Sequence, residues 1–249
     1  MICIDLEDAV PPGHKAEARR YALDFLEQAE TACEIVVRIN SLRSRDGLED
    51  LLALASVHTP PALLALPKAE SVVEIEITRS VLSRAGTAPE IIALIETLRG
   101  LERAGDIARA PGVAIVGLGS ADLSAEMGVS MEWEPMLLAR LQLVQATKAA
   151  RVQALDGAWV HLDDAEGLVA ETRRATALGY SAKVCLHPRQ VEAIHAALKP
   201  QDSEIELART IVAAFEGSGG AAVQLDGRMI DLPMAEAARR MLADWNHRD

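Results

Sequence analysis

Glu96 and Asp122 are two carboxylates whose spacing could bring them to one small volume. They sit in IIALIETLRGLERAGDIARAPGVAIVGLGSADL (residues 91–123), which reads as strand, helix, strand, with Glu96 closing the first strand and Asp122 following the second. They are 26 positions apart, about one βα repeat. In a parallel sheet that spacing places successive strand ends side by side, roughly 5 Å apart, so both acids face one small volume. A carboxylate pair at that end of a sheet suits a hard divalent ion such as Mg²⁺, which takes one or two carboxylates and keeps its other positions for water and substrate oxygens. The alternative is a pair of ordinary solvated loop acids.

Other polar residues gather at the C-terminal ends of the expected strands: Asp5, Glu7 and Asp8; Arg38 and Asn40; Lys68; Ser120; His161, Asp163 and Asp164; and His187. In barrel enzymes that face carries the chemistry. Arg38 closes an apolar strand, where a guanidinium can grip a carboxylate through two N–H groups or pair with a structural acid. Lys68, after Pro67, admits a functional and a structural role equally. His187, before Pro188, reads as a hydrogen-bonded or capping histidine, and His14, His58, His195 and His247 lie in polar or helical contexts without an assignment.

The elements that must position these groups alternate along the chain. Seven strands are expected, at 2–6, 34–39, 62–66, 91–95, 113–117, 158–161 (AWVH) and 183–186 (KVCL). Most are near-continuous apolar runs, as strands covered on both faces require. Between them lie amphipathic segments, among them 15–30, 71–86 and 134–155. Strict βα alternation predicts an α/β fold with a parallel sheet, either a barrel or a doubly wound sheet; no GxGxxG follows the first strand to support a dinucleotide site. After Lys199-Pro200 the pattern changes to a helix (203–216), a Gly-rich break, a hairpin with an Asp-Gly turn (221–233) and a final helix (234–245). The expected division is a barrel over 1–199 and a C-terminal appendage over 200–249 that packs on a neighbouring subunit.

With 249 residues, 50% of them hydrophobic and only 3% aromatic, the chain can build one large core from Ala, Val, Leu and Ile. No apolar run reaches the roughly 18–20 residues of a membrane span, and no secretory signal opens the chain, so a soluble cytoplasmic protein without a membrane partner is expected. Cys3, Cys33 and Cys185 lack metal-type spacing and are expected to be buried small hydrophobes in a reducing compartment. A net charge of −12 argues against nucleic acid as a partner.

The segments DLEDAVPP (5–12), VVRINS (36–41), LPKAES (66–71), ALIET (93–97), GLGSADLSAEMG (117–128), DGAWVHLDDAEGL (156–168), LHPRQ (186–190) and LDGRMID (225–231) together resemble the citrate lyase β-subunit-like branch of the HpcH/HpaI aldolase and citrate lyase family. The resemblance spans nearly the whole chain. It implies a TIM-type barrel, a homotrimer, and Mg²⁺-dependent cleavage or formation of a C–C bond in acyl thioesters such as citryl-, malyl- or citramalyl-CoA, carried by CoA or an acyl-carrier protein. Carried over by position, it makes Glu96 and Asp122 the metal ligands and has Glu7 and Asp8 hold metal-bound waters. Arg38 would bind the carboxylate of the 2-oxo acid with backbone N–H groups of Gly119, Ser120, Ala121 and Asp122. Asp231 would be the general acid/base, supplied by the adjacent subunit; its alternative role is to cap the last helix before Leu232-Pro233. The family begins with one more βα unit, and Met1 falls inside its second strand, so the expectation is a barrel lacking its first βα unit and an N-terminally truncated sequence. A free 2-oxo-acid aldolase and a noncatalytic CoA-ester-binding protein are the competing functions.

Overall fold

Apolar runs that must bury both faces pair most readily with one another, and here they form one parallel sheet. Its strands are β1 (Ile2–Asp5), β2 (Ile35–Arg38), β3 (Leu63–Leu66), β4 (Glu90–Ile95), β5 (Val113–Leu118), β6 (Gln153–Asp156) and β7 (Ala182–Lys183), neighbours in the order of the sequence. The sheet curls as a partial barrel, with β1 and β7 at its edges. The structure is a computed structural model that describes residues 1–28, 31–58, 60–83 and 88–246. Residues 29–30 and 84–86 of two expected helices, and His247, lie outside the described residues.

The chain divides into two units, Met1–Gln190 and Val191–Asp249. In the first, the strands are connected through α1 (Lys15–Gln28), α2 (Arg45–Leu54), α3 (Val72–Leu82), α4 (Leu98–Glu102), α5 (Ala104–Arg109), α6 (Ser120–Met127), α7 (Trp133–Ala150) and α8 (Ala165–Leu178). Strand residues alternate between two cores, as their period of two requires. Leu63, Ala65, Ile92, Leu94 and Ile115 fill the inner one. Leu64, Leu66, Ile91, Ala93 and Val116 join helix residues such as Ile75, Ile107, Met136 and Leu143 in the larger one. Several helix starts are fixed locally: Ser44 accepts from Gly47 N, Thr97 from Gly100 N, and Ser71 with Glu74 forms a reciprocal capping box.

Two expectations fail in the second half of the sheet. The sixth strand is 153–156 rather than 158–161, because α7 stops at Ala150 and Arg151 takes a left-handed conformation (φ 60°), releasing Gln153–Asp156 into the ladder. Residues 158–161 are instead a loop held by Trp159 Nε1 donating to the Asp164 carbonyl. The seventh strand shrinks to Ala182–Lys183. The cysteines are also not buried: all three are exposed, Cys3 on the edge strand and the other two outside regular structure. Among the described residues no helix is long and apolar enough to cross a membrane.

The second unit contains α9 (Val191–Leu198), α10 (Asp202–Gly217), a hairpin of β8 (Val223–Leu225) and β9 (Arg228–Ile230), and α11 (Leu232–Asn246). Asp226 and Gly227 both have positive φ (48° and 79°), as a tight two-residue hairpin turn requires. Phe215, Ile230 and Ala235 form its core.

Asp50 ties the early elements of the first unit together. Fully buried on α2, it accepts from Arg19 Nε of α1 at 2.6 Å and from Asn40 N and Nδ2 at 2.9 and 2.7 Å, while Asn40 Nδ2 also holds the Leu6 carbonyl at 2.9 Å. Asp50→Ala leaves Arg19 Nε and two Asn40 donors without their acceptor, although Arg19 keeps Glu49 and Asp46, and should cost about 3–5 kcal/mol of unfolding free energy in a urea titration. A loss under about 1 kcal/mol would show that this network is not structural.

Candidate active site

A parallel sheet delivers every strand's C-terminal end to one side, and the polar residues of β1 to β5 meet there. The pairing begins with register. Asp5 and Arg38, the last residues of β1 and β2, are direct partners in the ladder. Arg38 donates through Nε to Asp5 Oδ1 at 2.8 Å and through Nη2 to Oδ2 at 2.6 Å. Burial alone would raise the Asp5 pKa; the paired guanidinium outweighs it and holds the carboxyl below the ordinary range. Burial likewise opposes the charge on Arg38, and Asp5, followed by Glu7 and Asp8, keeps it fully protonated. Asp5 also accepts from the N–H groups of Glu7 (2.9 Å) and Ala9 (3.1 Å), which folds the chain after β1 into a turn. Lys15 Nζ pins that turn by donating to the carbonyls of Leu6 and Glu7 at 2.9 and 2.6 Å. Its product is a fixed Glu7, with Oε2 3.2 Å from Arg38 Nη1 yet without an aligned hydrogen bond. Asp8 Oδ2 lies 3.5 Å from the same Nη1 and faces solvent.

Lys68 occupies the centre. Its φ of +50° is a left-handed conformation costing about 1–3 kcal/mol in a residue with a Cβ, and it serves two contacts at once. The backbone N–H donates to Glu96 Oε2 at 3.0 Å. The ammonium lies 2.8 Å from Glu7 Oε1, 2.7 Å from Asp122 Oδ2 and 3.9 Å from Glu96 Oε2. Arg43 Nη2 fixes the Lys68 carbonyl at 2.7 Å. Three carboxylates therefore converge on one cation. Glu96 is only 5% exposed, and burial, then the charge of Glu7, pushes its pKa up to about 7 against the pull of Lys68. Glu7 is raised in the same way, by burial, despite Lys68 and Arg38.

Asp122 reaches this point from the first turn of α6. Gly119, which precedes that helix, donates its N–H to the Ile95 carbonyl at 2.9 Å and offers no side-chain cap. A Cβ there would run into the Glu96 side chain, so close approach of the two strand ends requires glycine. The uncapped N–H groups of Ser120 and Ala121 make a helix N-terminus that favours an anion.

This arrangement fits a small hard cation. Glu96 and Asp122 both face the Lys68 ammonium, Glu96 is buried where its charge is costly, and Glu7 Oε2 is buried without a hydrogen-bond donor. Glu96 and Glu7 therefore keep a demand for positive charge beyond what Lys68 supplies. Among the described residues no group of three or more His, Cys, Asp or Glu is disposed as a metal cage; Mg²⁺, which takes one or two carboxylates and retains its waters, does not require one.

The structure thus brings Arg38, Glu7, Asp8, Glu96, Asp122 and the Gly119–Ala121 turn to one place. Asp231 belongs to the second unit, where Oδ1 accepts from Met234 N at 3.3 Å and its carbonyl from Ala235 N at 3.0 Å, capping α11. Asp164 caps α8, His187 Nδ1 accepts from Arg189 N, and His161 packs edge-on to Trp159 at 5.1 Å. Sequence reasoning left Asp5 and Lys68 without roles. The position of each at a strand end was the available signal.

Residues 1–188 match the model of the HpcH/HpaI aldolase/citrate lyase family. The citrate lyase subunit beta of Haemophilus influenzae is 32% identical over 97% of this chain and 87% of that protein. The (3S)-malyl-CoA thioesterase of Cereibacter sphaeroides is 32% identical over 97% of this chain and 85% of its own. The crystal structure of protein CitE from Mycobacterium tuberculosis in complex with magnesium, acetoacetate and coenzyme A superposes with a TM-score of 0.85 at 31% identity, covering 99% of this chain and 90% of that one.

The raised Glu96 pKa has a signed consequence. Folded Glu96 keeps its proton to about pH 7, whereas the unfolded chain releases it near the ordinary value of 4.5. The folded state binds more protons between those values, so stability falls as pH rises through that window, by on the order of 3 kcal/mol. In chelator-treated protein, Glu96→Gln, neutral throughout, should flatten this part of the decline in Tm from pH 5 to pH 8. Identical pH profiles for variant and wild type would contradict the assignment.

Proposed function

Since the chain belongs to the HpcH/HpaI aldolase/citrate lyase family and is a carbon–carbon lyase, we propose that it cleaves a β-hydroxyacyl thioester of the citryl-, malyl- or citramalyl-CoA type to a 2-oxo acid and an acyl thioester, with Mg²⁺ as cofactor. The observation that carries this reading is the convergence of Glu7, Glu96 and Asp122 on the Lys68 ammonium, beside an Arg38 already oriented by Asp5. Relatives support it: the solved CitE protein is complexed with magnesium, acetoacetate and coenzyme A, and the Cereibacter relative is named for malyl-CoA.

Glu96 and Asp122 would hold Mg²⁺, with Glu7 and Asp8 engaging it through water. The bound ion supplies positive charge to the oxygen that changes from hydroxyl to ketone. The rest falls to the chain. Asp5 occupies Arg38 Nε and one Nη2 hydrogen and Nη1 faces Glu7 and Asp8, so the second Nη2 hydrogen is what remains to bind the carboxylate that becomes part of the 2-oxo acid. The N–H groups of Ser120 and Ala121 bind the same carboxylate from the α6 N-terminus. As the hydroxyl gives its proton to a site carboxylate, the C–C bond breaks and its electron pair stays on the carbon beside the thioester carbonyl. Asp231, from a neighbouring subunit of a homotrimer, protonates that carbon; one carboxyl oxygen caps α11 and the other remains for proton transfer.

The purified protein should release acetyl- or propionyl-CoA from malyl-, citramalyl- or citryl-CoA, and chelator should stop it. Glu96→Ala should abolish turnover, and Asp231→Asn should lower kcat by about 10²–10⁴-fold with little change in KM. Full activity in Glu96→Ala would refute the metal assignment, and cleavage of free hydroxy acids but not thioesters would refute the substrate class.

A further inference from the structure

The ends of β6 and β7 hold a second charged cluster, away from the carboxylates that surround Lys68. Asp156 and Lys183 are ladder partners, both buried. Lys183 Nζ donates to Asp156 Oδ2 at 2.6 Å, to Glu171 Oε1 at 2.7 Å and to the Gly157 carbonyl at 2.9 Å, so its three hydrogens are all used. Arg140, 2% exposed, adds Nε to Asp156 Oδ1 at 3.2 Å and Nη2 to Glu171 Oε2 at 3.5 Å. Its guanidinium lies over Trp133 at 4.5 Å, and Arg174 lies over the same ring at 4.2 Å. Two cations and Asp156 are thus buried with the partly buried Glu171, and Arg140 Nη1 alone among their buried nitrogens has no hydrogen-bond partner. Apolar side chains of similar volume are often as stable or more so in such a place, so packing alone does not call for these charges.

What the cluster fixes is the backbone at Gly157, and Gly157 abuts the active-site turn. A Cβ at that position would overlap Ser120 Oγ and lie 3.1 Å from the Leu118 carbonyl. Ser120 opens the helix that carries Asp122, directly after Gly119 and its contact with Glu96.

We propose that Lys183 and Gly157 are positioning residues: the buried charges clamp the end of β6, and Gly157 is the stop against which the Gly119–Asp122 turn is set. Neither residue touches the reacting atoms. Their effect passes through Ser120 to Asp122 and to the N–H groups of Ser120 and Ala121. The catalytic consequence rests on the function proposed above, whereas the structural coupling does not.

The test combines Mg²⁺ affinity by calorimetry, hydrogen exchange over residues 117–128, and steady-state kinetics on the full chain. Gly157→Ala keeps every charge and drives a methyl at Ser120 Oγ; it should weaken Mg²⁺ binding by about tenfold or more, speed exchange in the turn and lower kcat. Adding Ser120→Ala removes the struck oxygen and should restore Mg²⁺ affinity most of the way to that of Ser120→Ala alone. Lys183→Met should loosen the same amides, and if it does not fold, the Gly157 series decides. Unchanged affinity and exchange in Gly157→Ala, or a double variant no better than Gly157→Ala, would overturn the proposal. A wild type that binds Mg²⁺ but cleaves no thioester would overturn the proposed reaction alone, with affinity and exchange still judging the coupling.

Discussion

Carboxylates cannot be crowded at the end of a sheet without cations among them. Asp5, Glu7, Asp8, Glu96 and Asp122 crowd one end of this one, and Arg38 and Lys68 are the cations that make it possible. Two like charges 4 Å apart repel by about 4 kcal/mol at the effective dielectric near a protein surface, so each acid's position depends on the cation beside it. This constraint explains why Asp5 takes two of Arg38's donors, why Lys68 tolerates a positive φ, and why Glu96 remains the acid whose charge is least accommodated. A site with unmet demand for positive charge is what a divalent ion would complete.

The scaffold meets that demand through strand register and close backbone approach. Pairing of Asp5 with Arg38 follows from the β1–β2 register, and Gly119 lets the β5 end approach Glu96. Behind these, Asp50 and Asn40 hold the β1 turn from one side, and Lys183 holds the end of β6 from the other. The carboxylates around Lys68 are thus supported by two buried polar networks, each of which uses charge to fix a backbone carbonyl.

The first five strands and the acid pair were legible in the sequence because each strand is an apolar run, largely buried in β2 to β5 and at the sheet edge in β1, with polar residues at or just beyond its end. The sixth strand was not. Helical periodicity runs on through Arg151, and a non-glycine residue in the left-handed conformation carries no mark in the sequence, so α7 was read past its end and the strand was placed five residues late. With β6 five residues earlier and β7 ending at Lys183, the strand-end residues are Asp156 and Lys183 rather than His161 and His187. Asp5 and Lys68 were visible as strand-end groups, but their partners depend on register and on one backbone dihedral, neither of which the residue types encode. Asp231 shows the cap that Leu232-Pro233 suggested; its catalytic part rests on the family resemblance.

Glu96 and Asp122 together are expected to form a divalent-cation site. Titration calorimetry of chelator-stripped protein with MgCl₂ addresses it without any assumption about substrate. One Mg²⁺ should bind per chain, with affinity falling in both Glu96→Gln and Asp122→Asn by more than the about 10–100-fold typical when a group supporting a ligand is removed. Wild-type affinity in either variant would contradict it.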